Sequence, residues 1–523
     1  MLARTTIAPV ESHPLPNPIQ WPDDSRGPFK RRTGTSDFQL SGLTREERGT
    51  LLLGRRNGGI GWLLSLMLLS CSQEGADRSP SLVRRPAADG APNIVLITID
   101  TLRPDHLSPY GYERDTAPFL NEVAADAWIW THAFSTSSWT APATASLFTG
   151  LYPNEHGLIQ GFHNQSRSGP LELKALPAER TLPERLAASG YKTFGVTANI
   201  NIGPELGFDR GFDKFERNST GDANQLIDIA LSWRSQMQAP EPYFLYLHFN
   251  DVHQPVERRA PWFETYKGDG IGKVKERKRR RTARPIVERQ EIAKYDSEIN
   301  YLDQALSRLF EELDFADDTV VFLVSDHGEE FGEHGAKGHG FSLYDELNRV
   351  LLMAWAPHIP GTRRTIDTNV SLVDVAPTLL ELASAPGLVT RGRSLLPDFE
   401  GPSSTTPTKA VTTGPRTLFA HRLSAKPTLA DKSHEILWAA IRGPWKLIYN
   451  ESRDRPRLFN LSEDPREQDD RSKREPQLTA GLLAELAEFR RGDSLSAEEV
   501  EIDVTPELSE HLEVLGYGGA DED

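Results

Sequence analysis

Two apolar runs that each end in acidic residues constrain the fold of this chain more than any other feature. They read Asn93-Ile-Val-Leu-Ile-Thr-Ile-Asp100 and Thr319-Val-Val-Phe-Leu-Val-Ser-Asp326-His327. Runs of this length and composition predict strands buried on both faces, as in a mostly parallel sheet. Such sheets bind ligands beyond the carboxyl ends of their strands, where Asp100, Asp326 and His327 stand. These side chains favour a divalent cation site, although Asp and Gly also favour plain turns.

Strand and helix signals alternate between and around these two runs. Helices are indicated over 118–126, 182–190 and 293–310, where apolar residues recur at helical spacing or a glycine ends the segment. Strands are indicated over 192–196 and 243–249. The alternation predicts an α/β sandwich, with a large, mostly parallel central sheet between layers of helices.

The pattern changes beyond about residue 400, where the strand signals become short and close together. Three strand signals and a final amphipathic helix cover 436–441, 445–449, 457–461 and 478–489. Short runs joined by a turn such as Arg442-Gly-Pro444 predict antiparallel pairing. We therefore expect a main domain over residues 92–400, and a small C-terminal antiparallel-sheet subdomain with a tail over residues 401–523.

The charge of the chain argues against nucleic acid as a partner. Its 523 residues carry a net charge of −16, whereas nucleic-acid-binding proteins have a basic footprint. One basic run, over 272–281, could meet lipid headgroups or an acidic glycan, but the sequence favours a solvated insertion loop. Because the body is acidic, an anionic substrate needs a bound metal ion or local cationic side chains.

The surroundings of the one cysteine, Cys71, predict an export signal. Arg55 and Arg56 precede the apolar segment 61–70, and Cys71 follows it directly. A basic region, a short apolar region and a small residue before the cut are typical of a signal peptide. The segment resembles a bacterial lipobox, in which the cysteine is lipidated and becomes the first residue of the mature protein. The alternative is a chance apolar segment with a buried cysteine.

The lipobox interpretation divides the N-terminal region into two parts. Residues 1–71 then form an N-terminal extension and a lipoprotein-type signal peptide, the extension being either an over-extended start or a disordered arm. Residues 72–91 are expected to be a flexible linker. The protein is then expected in the bacterial cell envelope, periplasmic or extracellular, attached to the membrane through a lipid on Cys71.

A hydroxyl-rich segment after the first apolar run carries a candidate nucleophile. It reads Ser137-Ser-Trp-Thr140-Ala-Pro142-Ala-Thr144-Ala-Ser-Leu-Phe-Thr-Gly150. Pro142 suits the first turn of a helix and Thr140 suits its N-cap. A hydroxyl there faces unpaired N–H groups and the positive end of the helix dipole, which suits attack on an oxyanion ester. The alternative is a threonine that only caps the helix.

Taken together, these motifs resemble the sulfatase family of the alkaline-phosphatase superfamily. The resemblance covers nearly everything from about residue 93 to residue 517, in the family's order. The matching stretches are 93–103, 140–153, 325–328, 338–340, 343–349, 370–378 and 458–465. The set implies an alkaline-phosphatase-like fold much more specifically than it implies a substrate.

Two departures from the family pattern bear on the chemistry. Well-characterised sulfatases carry Cys or Ser followed by x-Pro-x-Arg and oxidise the first residue to formylglycine, whereas this chain has Thr140 and Thr144 at those two places. The family's Lys-Trp-His element is Thr197-Ala-Asn199 here. Threonine cannot be converted to formylglycine, but other members of the superfamily use an unmodified threonine. The resemblance therefore implies that Thr140 is the nucleophile.

The resemblance also implies roles for the residues around Thr140. The implied ligands of one divalent metal ion are Asp100, Thr140, Asp326 and His327. Such an ion lowers the pKa of the threonine hydroxyl and neutralises charge on the ester. His253 and His339 match family positions that hold ester oxygens and protonate the leaving oxygen. Lys337, in the same glycine-rich loop, competes with His339 for the cationic role.

The identity and number of metal ions stay open at this point. Calcium serves the formylglycine sulfatases, whereas an imidazole ligand and a hydroxyl nucleophile favour manganese or zinc, with magnesium a further candidate. One ion is favoured, and the alternative adds a second site on Asp251, His253 and His339. Four residues of the loop after His327 are expected to be solvated rather than ligands: Glu329, Glu330, Glu333 and His334.

We therefore expect a metal-dependent hydrolase of sulfate or phosphate esters. Its substrate is a sulfated or phosphorylated small molecule, glycan or lipid, and the sequence indicates no obligate protein partner. Threonine chemistry favours phosphate esters, because they do not need the hemiacetal release that formylglycine provides. Two alternatives are a phosphoglycerol- or phosphoethanolamine-type transferase and an inactive protein that binds anionic glycans.

Overall fold

A computed structural model describes residues 84–162, 171–178, 181–268, 289–315, 318–359, 364–400, 416–423, 435–492 and 498–502. The strands are β1 (Asn93–Ile99), β2 (Ala127–Phe134), β3 (Leu171–Ala175), β4 (Lys192–Thr197), β5 (Lys214–Arg217), β6 (Tyr243–Phe249), β7 (Thr319–Ser325), β8 (Glu330–Phe331), β9 (Lys337–Gly338), β10 (Leu352–Trp355), β11 (Thr365–Ser371), β12 (Leu418–Leu423), β13 (Ile436–Arg442), β14 (Trp445–Asn450), β15 (Arg455–Asn460) and β16 (Glu498–Ile502). The helices are α1 (Pro118–Ala125), α2 (Thr140–Thr149), α3 (Pro153–His156), α4 (Leu182–Ala188), α5 (Ala223–Ser232), α6 (Arg234–Met237), α7 (Trp262–Tyr266), α8 (Arg289–Leu313), α9 (Asp345–Asn348), α10 (Val375–Leu382), α11 (Leu396–Glu400) and α12 (Pro476–Phe489).

The centre of the described chain is an eight-stranded sheet with the order β11-β2-β10-β7-β1-β6-β4-β5. Its strand pairs are parallel except those that β10 makes with β2 and β7. The register places Ile99, the end of β1, opposite both Ser325 of β7 and Phe249 of β6. The residues that follow these strand ends therefore leave the sheet side by side, at the edge where parallel sheets bind ligands.

Alternate side chains of the central strands belong to two separate apolar cores. In β1, Ile94 and Leu96 pack in one core, and Val95 and Ile97 pack in the other. Helices α2, α4 and α10 contribute to the first core, and α1, α5 and α8 to the second. Because both faces of the sheet are covered, its central strands β1, β6 and β7 are largely apolar and buried. The predicted α/β sandwich is confirmed.

The predicted C-terminal antiparallel sheet is also confirmed, with the order β12-β13-β14-β15. Helix α12 packs on one face through Leu482 and Leu486. On the opposite face, Ala420 and Ala439 contact Leu343 of the main body. The backbone N–H of His421 in β12 also donates to the carbonyl of residue 136 at 2.8 Å. This contact ties the sheet to the segment that precedes Thr140.

Part of the predicted linker packs against the main body. The Arg85 N–H donates to Ala188 O at 2.9 Å, and Arg84 forms an ion pair with Asp213. Residues 84–91 are therefore not a free tether. Cys71, the apolar segment before it and the basic run over 272–281 lie outside the described residues. No helix in the described ranges is long and apolar enough to cross a membrane.

Candidate active site

Three side chains converge at the carboxyl edge of the central sheet. Asp100 follows β1, and Asp326 and His327 follow β7; all three are fully buried. Their potential ligand atoms lie within 4.8 Å of one another. The His327 Nδ1 donates to Gly328 O at 2.9 Å, which directs Nε2 towards the two carboxylates. The structure thus brings together the acidic and imidazole groups that the sequence singled out.

The two carboxylates leave one oxygen each without a hydrogen-bond partner, Asp100 Oδ1 and Asp326 Oδ2. These oxygens lie 3.6 and 3.5 Å from His327 Nε2. A buried, unpaired carboxylate oxygen costs free energy that a cation offsets. The donor set, two carboxylates and one imidazole, suits a divalent transition-metal ion. The residues present therefore fit the metal ion that the fold implies.

The pKa values of the cluster show the same electrostatic conflict. Burial, followed by the charge of Asp100, raises the pKa of Asp326 to about 6. Burial alone would raise the pKa of Asp100 too, but nearby imidazoles, first that of His253, lower it below its usual range. Burial alone would lower the pKa of His327, yet Asp326 and Asp100 raise it. Positive charge at this point relieves the repulsion between the two acids.

Thr140 joins this cluster from the N-terminus of α2. Its Oγ1 donates to Asp100 Oδ2 at 3.4 Å and lies 3.2 Å from His327 Nε2. The N-cap is Trp139 in extended conformation, and no side chain caps the helix, so the prediction of Thr140 as N-cap is wrong by one residue. The reason is local: the threonine hydroxyl faces the acidic cluster instead of the helix N–H groups. A simple capping role is thereby excluded.

Two neighbours of Asp100 escaped the sequence-based prediction of the site. Asn199 Nδ2 donates to Asp100 Oδ2 at 2.5 Å, and His248 Nε2 lies 3.4 Å from the same oxygen. In the sequence, Asn199 stands out only as a departure from the family's Lys-Trp-His element. His248 stands in the otherwise apolar strand β6. A histidine inside a fully buried strand is the signal that could have found it.

His253 and His339 lie beside the cluster, as the resemblance implied. Their rings are 4.8 Å apart, and the His339 ring is 4.7 Å from that of His327 and 5.6 Å from Trp139. The His253 Nδ1 donates to Gln254 O at 2.5 Å. Burial lowers the pKa of His253 to about 4, although Asp100 opposes the shift.

The loop after His327 differs from its predicted solvated state. Glu329 and Glu330 are fully buried, and the side chains of Glu333 and His334 are largely covered. Burial raises the pKa of Glu329 to about 7. The prediction fails because β8 and β9 form a hairpin that turns these acids inwards. Lys337, in contrast, has a side chain 46% exposed and pairs with Glu291 at 3.6 Å, so it does not compete with His339.

Two further groups of potential ligands carry less weight. Glu330, His334 and Glu346 also lie within ligand distance of one another. Burial alone would lower the pKa of His334, but Glu346, whose Oε1 lies 2.5 Å from His334 Nδ1, raises it. Glu330 Oε1 accepts from the N–H groups of His334 and Ala336. Asp251 Oδ1 instead accepts from the Ala223 N–H at the start of α5. Among the described residues, Asp251 therefore does not form a ligand group with His253 and His339.

Comparison with known proteins agrees with this geometry. The sulfatase family model matches residues 92–385, more than half of the chain, and the chain therefore belongs to the sulfatase family. An arylsulfatase of Clostridium perfringens is 24% identical over 370 residues, which cover 56% of this chain and 75% of the relative. The protein is a sulfatase-family ester hydrolase, and members of this family generally bind a divalent metal ion.

Solved structures show the same fold at low identity. A protein in complex with its substrate D-glucosamine-2-N,6-O-disulfate has a TM-score of 0.59 and 17% identity, and the match covers 77% of this chain and 98% of that one. The phosphonate monoester hydrolase of Agrobacterium radiobacter has a TM-score of 0.55 and 19% identity, with 76% and 95% covered. The same fold therefore occurs in a protein that binds a sulfated sugar and in a phosphonate monoester hydrolase.

Proposed function

We propose that this protein is a metal-dependent hydrolase of sulfate or phosphate esters with Thr140 as its nucleophile. The observation that carries the proposal is the position of Thr140 Oγ1, 3.2 Å from His327 Nε2 and 3.4 Å from Asp100 Oδ2. This hydroxyl sits at the point where two buried carboxylate oxygens lack partners. A divalent ion bound there lowers the pKa of the hydroxyl and neutralises developing charge on the ester.

The ion would be held by Asp100, Asp326 and His327. Asn199 donates to Asp100 Oδ2, and the N–H groups of residues 101 and 327 donate to Asp326 Oδ1. These bonds fix one oxygen of each carboxylate and leave the other directed at the site. Neighbours of this kind orient metal ligands and tune their basicity.

The reaction follows from the positions of the chain's own groups. Thr140 releases its hydroxyl proton to solvent, because a divalent ion at the site would lower the pKa of that hydroxyl. Thr140 Oγ1 then bonds to the phosphorus or sulfur as the ester oxygen leaves with a proton from an imidazole. Water cleaves the threonine ester in the second step and returns a proton to that imidazole. His339, whose ring is 4.7 Å from that of His327, and His253, whose ring is 4.8 Å from that of His339, are the imidazoles that take these roles.

The scissile atom is proposed to be phosphorus, with sulfur as the alternative. Hydrolysis of a threonine phosphoester needs no hemiacetal release, and Thr140 stands where sulfatases of the formylglycine type carry Cys or Ser. The relatives include an arylsulfatase, and the fold also serves a phosphonate monoester hydrolase. A sulfated or phosphorylated glycan is a reasonable substrate class, because a structural neighbour binds a sulfated glucosamine.

We propose further that a lipid on Cys71 anchors the protein in the bacterial cell envelope. The support is the basic, apolar and small-residue pattern that ends at Cys71. Labelled palmitate incorporated by the wild-type chain in a bacterial host, and not by Cys71→Ser, is the expected result. Equal labelling of both proteins would contradict the anchor.

The function is tested by combining metal analysis with three ester substrates. The full chain, purified without chelator, is offered p-nitrophenyl sulfate, p-nitrophenyl phosphate and bis-p-nitrophenyl phosphate, alongside Thr140→Ala. We expect turnover of a phosphate ester, abolished in Thr140→Ala with metal still bound. Preference for the sulfate ester would move the scissile atom to sulfur. Bound metal without any turnover would contradict the hydrolase proposal and favour an anion-binding protein, and transfer to added glycerol would favour a transferase.

A further inference from the structure

Glu329 has no part in the reaction proposed above, yet it is a fully buried carboxylate next to the site. Its Oε2 accepts from His339 Nδ1 at 3.2 Å. Its Oε1 has no hydrogen-bond partner and lies 3.6 Å from the position that a Cβ on Gly338 would take. A buried carboxylate with one unused oxygen costs free energy, and this cost indicates a functional role.

The backbone around Glu329 is held firmly in place. Arg103 Nη1 donates to Glu329 O at 2.9 Å, and the same guanidinium pairs with Asp105 and Glu333. On the other side, Gly340 lies so close to the Trp139 ring that an added Cβ would be 2.5 Å from it. The β8–β9 hairpin, which joins Glu329 to His339, is thus fixed at both ends beside Thr140.

The two candidate proton donors differ in what supports their Nδ1 atoms. For His253 the acceptor is a backbone carbonyl, Gln254 O. For His339 the acceptor is the carboxylate of Glu329. A carboxylate on Nδ1 fixes the tautomer and ring orientation and stabilises the imidazolium form, whereas a carbonyl supplies no charge. The structure therefore distinguishes the two imidazoles, which sequence alone treated as equivalent.

We propose that Glu329 is the positioning residue that makes His339 the proton donor to the leaving oxygen. The inference rests on the ester hydrolysis proposed above. Glu329 accepts from His339 Nδ1 and stabilises the doubly protonated ring. In that ring, Nε2 carries the proton that is transferred. As the bond from phosphorus or sulfur to the ester oxygen breaks, the Nε2 proton passes to that oxygen. In the second step, water gives one proton back to Nε2 while its oxygen bonds to phosphorus or sulfur and releases Thr140.

The kinetic test compares leaving groups, because a proton donor matters most when the leaving oxygen is basic. The substrates are aryl esters of the acid, phosphoric or sulfuric, whose esters the wild type hydrolyses. Their leaving groups range from p-nitrophenol to phenol. Glu329→Met, which keeps length but cannot accept from Nδ1, is expected to lower kcat/KM about 100-fold for phenyl and less than about threefold for p-nitrophenyl. Glu329→Gln, which keeps an acceptor, should lose less.

Two controls separate positioning from a general structural role. Glu333→Gln alters a carboxylate of the same loop and should change every substrate by the same small factor. In a His339→Ala background, Glu329→Met should have no further effect on phenyl ester hydrolysis. An equal loss for all leaving groups, or a full extra loss in the His339→Ala background, would overturn the proposal.

A measurement without turnover keeps this inference separate from the proposed function. Nitrogen NMR of ¹⁵N-histidine-labelled protein, with the His339 signals assigned from His339→Ala, reports which ring nitrogen carries the proton. We expect Nδ1 to be protonated in the wild type and less so in Glu329→Met. An unprotonated Nδ1 in the wild type would overturn the inference even in an active enzyme. A protonated Nδ1 without turnover of any ester would instead count against the hydrolase proposal alone.

Discussion

Two buried acidic clusters of this protein differ in how many partners their carboxylate oxygens have. Asp296 of α8 accepts from His106 Nδ1 and the Tyr112 hydroxyl, both at 2.6 Å, and pairs with Arg114. Both of its oxygens therefore have partners. Asp326 has partners for Oδ1 only, and its Oδ2 has no hydrogen bond. Both carboxylates are fully buried.

We interpret this as the difference between a cluster that serves stability and one that serves the proposed chemistry. A buried charge with a matched cation and full hydrogen bonding stabilises the fold only if all its members are kept. A buried acidic pair that lacks such partners destabilises the fold, and this cost is typical of sites that bind a cation or substrate. Asp296 thus belongs to the scaffold, and Asp326 to the site.

The strongest way to break this comparison is to remove the proposed nucleophile. Thr140→Ala should lower kcat at least about ten-thousandfold, because it removes the hydroxyl that donates to Asp100 Oδ2 and lies 3.2 Å from His327 Nε2. Thermal unfolding should change little. Thr149→Val, at the far end of α2, loses a bond to Ala145 O and one from the Leu151 N–H, and is the matched control. Activity of Thr140→Ala within tenfold of the wild type would rule out this nucleophile.

A paired substitution tests the two acids directly. Asp296→Asn should lower the free energy of unfolding by about 3–5 kcal/mol, since it removes a buried negative charge that bonds Arg114, His106 and Tyr112. Asp326→Asn should leave that free energy unchanged or raise it by up to about 2 kcal/mol in chelator, because it removes repulsion from Asp100. Denaturant unfolding measures both. Comparable destabilisation by the two variants would remove the distinction.

Removing the amide that bonds Asp100 should have a smaller effect than removing Thr140. Asn199→Ala removes the donor to Asp100 Oδ2 and should lower metal affinity or kcat/KM about 10- to 100-fold. Asn224→Ala serves as the control, because Asn224 bonds Tyr301 away from the site. Metal titration and turnover are measured on both. If Asn199→Ala matches the control, the amide does not support the site.

A third buried cluster supplies a test through the pH dependence of stability. Lys446 lies between Asp345 at 2.6 Å and Glu467 at 3.1 Å, so one cation faces two acids. Burial raises the pKa of Glu467 to about 8, although Lys446 opposes the shift. The folded carboxyl keeps a proton that the unfolded one loses near its ordinary pKa of 4.5. The free energy of unfolding should therefore fall as pH rises from there to about 8, and then level off.

Glu467→Gln should flatten this decline, by at most about 1.4 kcal/mol per pH unit. Thermal unfolding between pH 5 and pH 8 measures the slope in both proteins, and Glu463→Gln, an exposed acid of the same segment, is the control. Parallel slopes for the wild type and Glu467→Gln would show that Glu467 is ionised throughout.

The sequence predicted β1, β4, β6 and β7 of the central sheet and the convergence of Asp100 and Asp326, but not what surrounds these two acids. Strands β1 and β7 are long apolar runs, and their shared register follows from parallel pairing, so Asp100 and Asp326 could be placed together. The burial of Glu329 could not be predicted, because it depends on a hairpin with strands of only two residues each. Local composition made that segment look solvated, and only tertiary packing turned it inwards.

The bond from His421 N–H to the carbonyl of residue 136 has a consequence for biosynthesis. During translation the central strands and Thr140 are made long before β12, whose backbone holds the segment that leads into α2. A partly made chain therefore lacks this hydrogen bond, which lies near the proposed nucleophile Thr140 in the sequence. The backbone bond at residue 136 therefore forms only after the C-terminal sheet has been made and folded.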